Sequence, residues 1–196
     1  MGKASLKQSI RVLQLVEETG WSADEINRRI VGHWGILRDI AEALGAGRVT
    51  EEQLRRAIFQ SLLAACRQDL VEPEFTEKHY PLEPVAPDED KWEVVEHKFD
   101  GKMKGEDAFT ELRAMGYRLC GPRRAMEFIA AHPDLQLDHP LMVTARWQDP
   151  KDGWCAPVFS RAREVGRYLY VERLDRDFGD DFRPGFSWLV LKKRAA

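Results

Sequence analysis

LMVTARWQDPKDGWCAPVFSRAREVGRYLYVERL, residues 141–174, is the stretch on which the fold turns. Its centre, Asp149-Pro150-Lys151-Asp152-Gly153, is turn chemistry: aspartate and proline initiate tight turns, and glycine supplies the backbone region that other residues avoid. On either side the residues are β-branched, aromatic and aliphatic, so Leu141 to Trp147 and Trp154 to Ser160 are expected to pair as an antiparallel hairpin. Arg167 to Leu174 reads as a third strand, and Phe186 to Lys192 as a fourth beyond an acidic loop from Asp175 to Gly185.

Working upstream, Trp92 to Phe99 alternates as a strand. Trp92, Val94, Glu96 and Lys98 take one side, and Val95, His97 and Phe99 the other. Two short helices follow. The first carries Ala108, Leu112 and Met115 at helical spacing and ends at Gly116; the second begins at Gly121-Pro122, where proline is welcome because the first helical amide has no partner anyway. Ala125, Met126, Ile129 and Ala130 are its packing residues, and His132-Pro133 stops it. This order predicts an α+β fold, a mostly antiparallel sheet with two short helices packed on one face.

Residues 67–91 change character. Pro73, Pro81, Pro84 and Pro87 are spread among acids, which excludes a long helix and marks an acidic connector. Leu70, Val71, Phe75, Tyr80, Leu82 and Val85 are its apolar anchors. Before it, residues 1–66 read as three helices. Leu6, Ile10 and Leu13 line the first; Ser22 with Glu25 and Thr50 with Gln53 are capping boxes that open the other two. Leu54, Ala57, Ile58, Ser61, Leu62 and Ala65 are the expected inward face of the third. Three organisational units follow: 1–66 helical docking region, 67–91 connector, 92–196 α+β domain.

With 43% hydrophobic and 32% charged residues, the chain is balanced like a globular protein and not like a disordered one. Its net charge of −3 is concentrated in residues 67–100, which hold seven more acids than bases. A chain that wraps nucleic acid usually carries a strong basic excess. Cys66, Cys120 and Cys155 are odd in number and widely spaced, which points to reduced thiols in a cytoplasmic protein. No apolar run has transmembrane length, so no membrane partner is expected.

Several segments in order resemble a family of small bacterial proteins without assigned activity. They are FTEKHYPL (75–82), AMGYR (114–118), His139-Pro140-Leu141, GRYL (166–169) and WLVLKK (188–193). The resemblance covers about the last 120 residues. It implies a carboxy-terminal α+β domain and carries no catalytic residue.

No catalytic residue, metal ligand set or cofactor is assigned from the residues. Cys155 sits early in an expected strand with no histidine near it in sequence, where an inert packed thiol is the simpler reading than a nucleophile. Asp175, Asp177, Asp180 and Asp181 cluster, but the loop lacks the glycine and glutamate placement of a calcium loop. The five histidines form no pair at zinc-binding spacing. What stands out is aromatic residues interleaved with arginines in the strands. Trp147, Trp154, Arg161, Arg167, Tyr168, Tyr170 and Arg173 are nominated as a binding surface, with Tyr168 and Tyr170 opposite Arg167 and Arg173 by alternation. The expected function is a non-enzymatic binding protein. Its helical region would hold a protein partner or a second copy, and its sheet would present an aromatic, basic face. The alternative is RNA or single-stranded DNA binding, with bases stacked on that face; an enzyme is the weaker third reading.

Overall fold

The computed structural model describes residues 51–83, 86–101, 103–151, 153–175, 177–178 and 186–195. The first two expected helices, and the cap at Thr50, lie outside the described residues. The chain divides into two compact units, residues 1–58 with 84–89 and residues 59–83 with 90–196.

Helix α1 spans Glu51–Ala65. In its second half Phe59 and Leu62 are buried, as is Cys66 just beyond its end, while Ser61 and Ala65, expected to face inward, are exposed. The helix is turned because Phe59 packs its ring 5.2 Å from Phe75 of the following segment, and the larger apolar side chain takes the core. The segment expected as a connector contributes a strand, β1 (Leu70–Val71), and buries Phe75 and Tyr80.

Then come β2 (Trp92–His97), β3 (Met103–Lys104), helix α2 (Gly105–Ala114), β4 (Arg118–Leu119), helix α3 (Pro122–Ala131) and the single turn α4 (Leu135–Asp138). Acids Glu106 and Asp107 in the first turn of α2 and Arg113 in its last complement the helix dipole. Proline opens α3 as expected. The chain closes with β5 (Leu141–Val143), β6 (Trp147–Asp149), β7 (Gly153–Ala162), β8 (Gly166–Arg173), β9 (Asp177–Phe178) and β10 (Ser187–Lys193). The turn at Asp149 forms as read, with the Asp149 carboxylate accepting the Lys151 amide at 2.7 Å and Gly153 at φ +77°.

Among the described residues eight strands form one sheet of order β1-β8-β7-β5-β10-β2, with β6 beside β7 and β4 beside β10. It is mostly antiparallel; β1–β8 and β5–β10 are parallel. The expected strand from Leu141 to Trp147 is split. β5 fills the space between β7 and β10, and beyond Val143 the sheet forks, β6 continuing along β7 and β4 along β10. Thr144 sits at the fork, fully buried. Its hydroxyl accepts the Cys120 amide at 2.6 Å and donates to the Leu189 carbonyl at 2.7 Å.

The helices do not share one face. Register places Met142, Val158, Trp188 and Val190 on the front, packed against Ala108, Phe109 and Leu112 of α2. Leu141, Phe159, Leu169 and Leu189 point to the back and are equally buried. There Arg167 reaches the Pro133 carbonyl and Asp134 between α3 and α4, and the Cys66 thiol donates to the Met126 carbonyl of α3. Central strands with consecutive apolar residues, such as Trp188-Leu189-Val190, need cover on both sides.

Candidate binding cleft

β7 and β8 form the longest antiparallel pair, in register from Cys155 opposite Arg173 to Ala162 opposite Gly166. On its other edge β8 meets β1 only at Tyr168 and Leu169. Past that point the side chain of Glu72 takes the place of a strand. One carboxylate oxygen accepts the Val171 amide at 2.9 Å, and the other accepts the Tyr168 hydroxyl. A carboxylate on an edge amide also blocks the pairing of another strand there.

An open cleft of about 850 Å³ lies along this hairpin. Its lining touches β7 at Cys155 and at Ser160 to Ala162, and β8 at Tyr168 and from Tyr170 to Arg173, with ends up to seven residues apart. At about 3.3 Å per residue, that is roughly 20 Å of strand. Side chains from both faces of β8 contribute, Tyr168 and Tyr170 from the front and Val171 and Arg173 from the back.

Three aromatic rings line it. Tyr168 and Tyr170 stack with centroids 5.2 Å apart and planes 18° apart. Burial and the adjacent Glu72 carboxylate push the Tyr168 hydroxyl up to about 12, so it stays a donor at neutral pH. Trp147 comes from β6, its ring stacked on His79 at 3.8 Å and met edge-on by Tyr80. The His79 Nδ1 donates to the Glu74 carbonyl at 2.8 Å, which fixes the imidazole over the indole.

Five of the seven nominated residues, Trp147, Arg161, Tyr168, Tyr170 and Arg173, therefore meet in one cleft. Trp154 and Arg167 do not. Trp154 packs against the front core beneath the Arg146 guanidinium, 4.4 Å from its ring. Arg167 is turned to the back, 3.1 Å from the Pro133 carbonyl and 2.5 Å from Asp134. Neither lines the cleft: the Trp154 ring is covered by Arg146, and the Arg167 guanidinium is held by Pro133 and Asp134.

The electrostatics differ from the basic face expected. Arg161 and Arg173 are outnumbered by Glu72, Glu74, Asp149 and Glu172 among the described lining residues. Arg173 is bound by both oxygens of Asp175, Nε at 3.2 Å and Nη2 at 2.7 Å. Glu72 and Glu74 belong to the segment read as a connector, and only the parallel pairing of β1 carries them to β8. The acid-rich run was visible; its destination was not.

Cys155 belongs to the cleft wall, its Sγ 3.6 Å from the Gly153 carbonyl. Cys66 and Cys120 are buried, and burial pushes the first thiol up to about 12 and the second well above its ordinary value. Neither suits thiolate chemistry. Of the aspartates considered for a cation, Asp175 holds Arg173, and Asp180 and Asp181 lie outside the described residues. Among the described residues no three His, Cys, Asp or Glu side chains are placed to share a metal ion, and no helix is long and apolar enough to cross a membrane.

No family model matches the chain, and neither curated proteins nor solved structures give a match. These comparisons supply neither a family nor a site residue, and the cleft stands on its geometry.

Proposed function

We propose that this is a cytoplasmic, non-enzymatic binding protein whose ligand seats in the β7–β8 cleft. The observation that carries this reading is the convergence of Trp147, Tyr168 and Tyr170 on one concavity of about 850 Å³, a size usual for ligand sites. Binding rather than bond-making is favoured because three of the cleft's charged groups are already engaged in holding structure. Glu72 closes the β8 edge, Asp149 holds its turn, and Arg173 is clamped by Asp175. Three buried cysteines, none of them in a disulfide, fit a reducing compartment. Residues 1–66 are proposed to dock a partner or a second copy, which the mass of the full chain in solution against that of a chain starting at Glu51 tests.

The cleft itself is tested by NMR, screening the full chain against mixtures of peptides, small metabolites and oligonucleotides. Ligands are expected to shift the Trp147 indole and the amides of Tyr168 to Arg173, and to lose that effect in Tyr170→Ala but not in Trp154→Phe. If bound ligands leave those signals unmoved, the site is elsewhere. Nucleic-acid binding is the alternative; the carboxylates around the stacked tyrosines weigh against a phosphate backbone, and tight oligonucleotide binding that weakens steeply with salt would restore it.

A further inference from the structure

Resting on the proposal that the cleft binds a ligand, we infer that its ligand is an extended, positively charged peptide segment, whose arginine or lysine side chains lie among the cleft's carboxylates and stacked tyrosines. Three independent observations converge on that chemistry.

The first is charge. The described lining sets four carboxylates, Glu72, Glu74, Asp149 and Glu172, against two guanidiniums, of which Arg173 is already neutralised by Asp175. An anionic ligand would meet repulsion along most of the wall, and a cationic one attraction. The second is the aromatic surface. Tyr168 and Tyr170 stack on one another, and the Tyr168 hydroxyl donates to the Glu72 carboxylate, which enriches its ring in electron density. Guanidinium and ammonium groups are drawn to such ring faces. The third is shape. The lining touches β7 at Cys155 and again at Ser160 to Ala162, and β8 at Tyr168 and from Tyr170 to Arg173, so its ends lie roughly 20 Å apart at strand rise. That is several residues of extended peptide, longer than one amine requires. The peptide lies in the cleft and does not pair with the β8 edge at Val171, because Glu72 holds that amide.

Isothermal titration of the full chain with a short oligo-arginine peptide, an oligo-glutamate of the same length, spermidine and a single-stranded oligonucleotide tests this. The basic peptide should bind, more weakly as salt rises. Glu74→Gln and Asp149→Asn, the latter keeping the turn acceptor, should each weaken it about threefold, and Tyr170→Ala more. Arg161→Gln, removing an exposed cation from the rim, should tighten it by a similar factor. Thermal unfolding of each variant shows that it is folded. Spermidine binding as tightly as the peptide overturns the extended-peptide claim and leaves a small polyamine site. Oligo-glutamate or oligonucleotide binding that Tyr170→Ala abolishes overturns the cationic ligand but keeps the cleft as a binding site. Basic-peptide binding indifferent to all four substitutions, or no binding by any probe, overturns both.

Discussion

At the scale of the residue, single polar atoms show where the fold is held and where it is under-satisfied. Thr144 ties the end of β4 to β10 at the fork of the sheet through one hydroxyl. Thr144→Val keeps its shape but leaves the buried Cys120 amide without an acceptor, which should cost about 1–3 kcal/mol. Urea unfolding measures that loss, and Thr144→Ser should recover most of it. The Tyr80 hydroxyl is the opposite case: it is buried and finds no hydrogen-bond partner among the described residues, and burial drives its ionisation far above the ordinary tyrosine range. Tyr80→Phe removes a desolvated polar group while keeping the ring on Phe75 and Trp147, so the melting temperature should hold or rise. A fall would mean that the hydroxyl is paired. Neither role was visible in advance, because a threonine and a tyrosine in sequence carry no sign of which atoms will meet them.

At the scale of the element, helix α3 is capped from outside its own sequence. Gly121 at its N-cap position has no side chain to offer; Glu83 instead accepts the Arg123 and Arg124 amides, at 3.0 and 3.1 Å. A Cβ on Gly121 would stand 2.3 Å from that carboxyl group, so glycine is needed for the close approach. Glu83→Ala should cost about 1–2 kcal/mol, as loss of a cap does. Burial raises the Glu83 carboxyl above its ordinary value, while the two amides and Arg123 pull it partly back. A raised value means the folded state holds its proton longer, so stability is greatest at acid pH and is lost as pH rises through the folded value. Relative to Glu83→Gln, the parent chain should therefore lose stability as pH climbs from about 4.5, in melting curves taken across that range. Proline at the start of α3 and the turn at Asp149 were legible because their causes are local. The cap was not, since its carboxylate lies 40 residues upstream of Arg123.

At the scale of the whole molecule, the last strand in sequence lies inside the sheet. β10 pairs with β5, β4 and β2 and contributes buried Trp188, Leu189 and Val190, with Trp188 edge-on to both Phe99 and Phe109. A chain ended at Phe186 should therefore show no cooperative unfolding transition, and Trp188→Ala should cost about 3–5 kcal/mol in denaturant titration. Most strands, two helices and the antiparallel hairpin were readable from residues 92–193, because alternation, turn chemistry and helix stops act over a few residues. The run Trp188-Leu189-Val190-Leu191 also announced a strand buried on both faces, a signal that the expectation of helices on one face passed over. Sequence alone determined the α+β class, the position of the hairpin, and five of the residues that meet in the cleft. Tertiary structure alone decided that β1 lies parallel to β8, that Glu72 and Glu74 reach stacked tyrosines some 96 residues away, and that the cleft is acidic. The division has one physical reason. Backbone conformation answers to near neighbours, whereas the charge and shape of a site are set by which distant segments the shared hydrophobic core brings together.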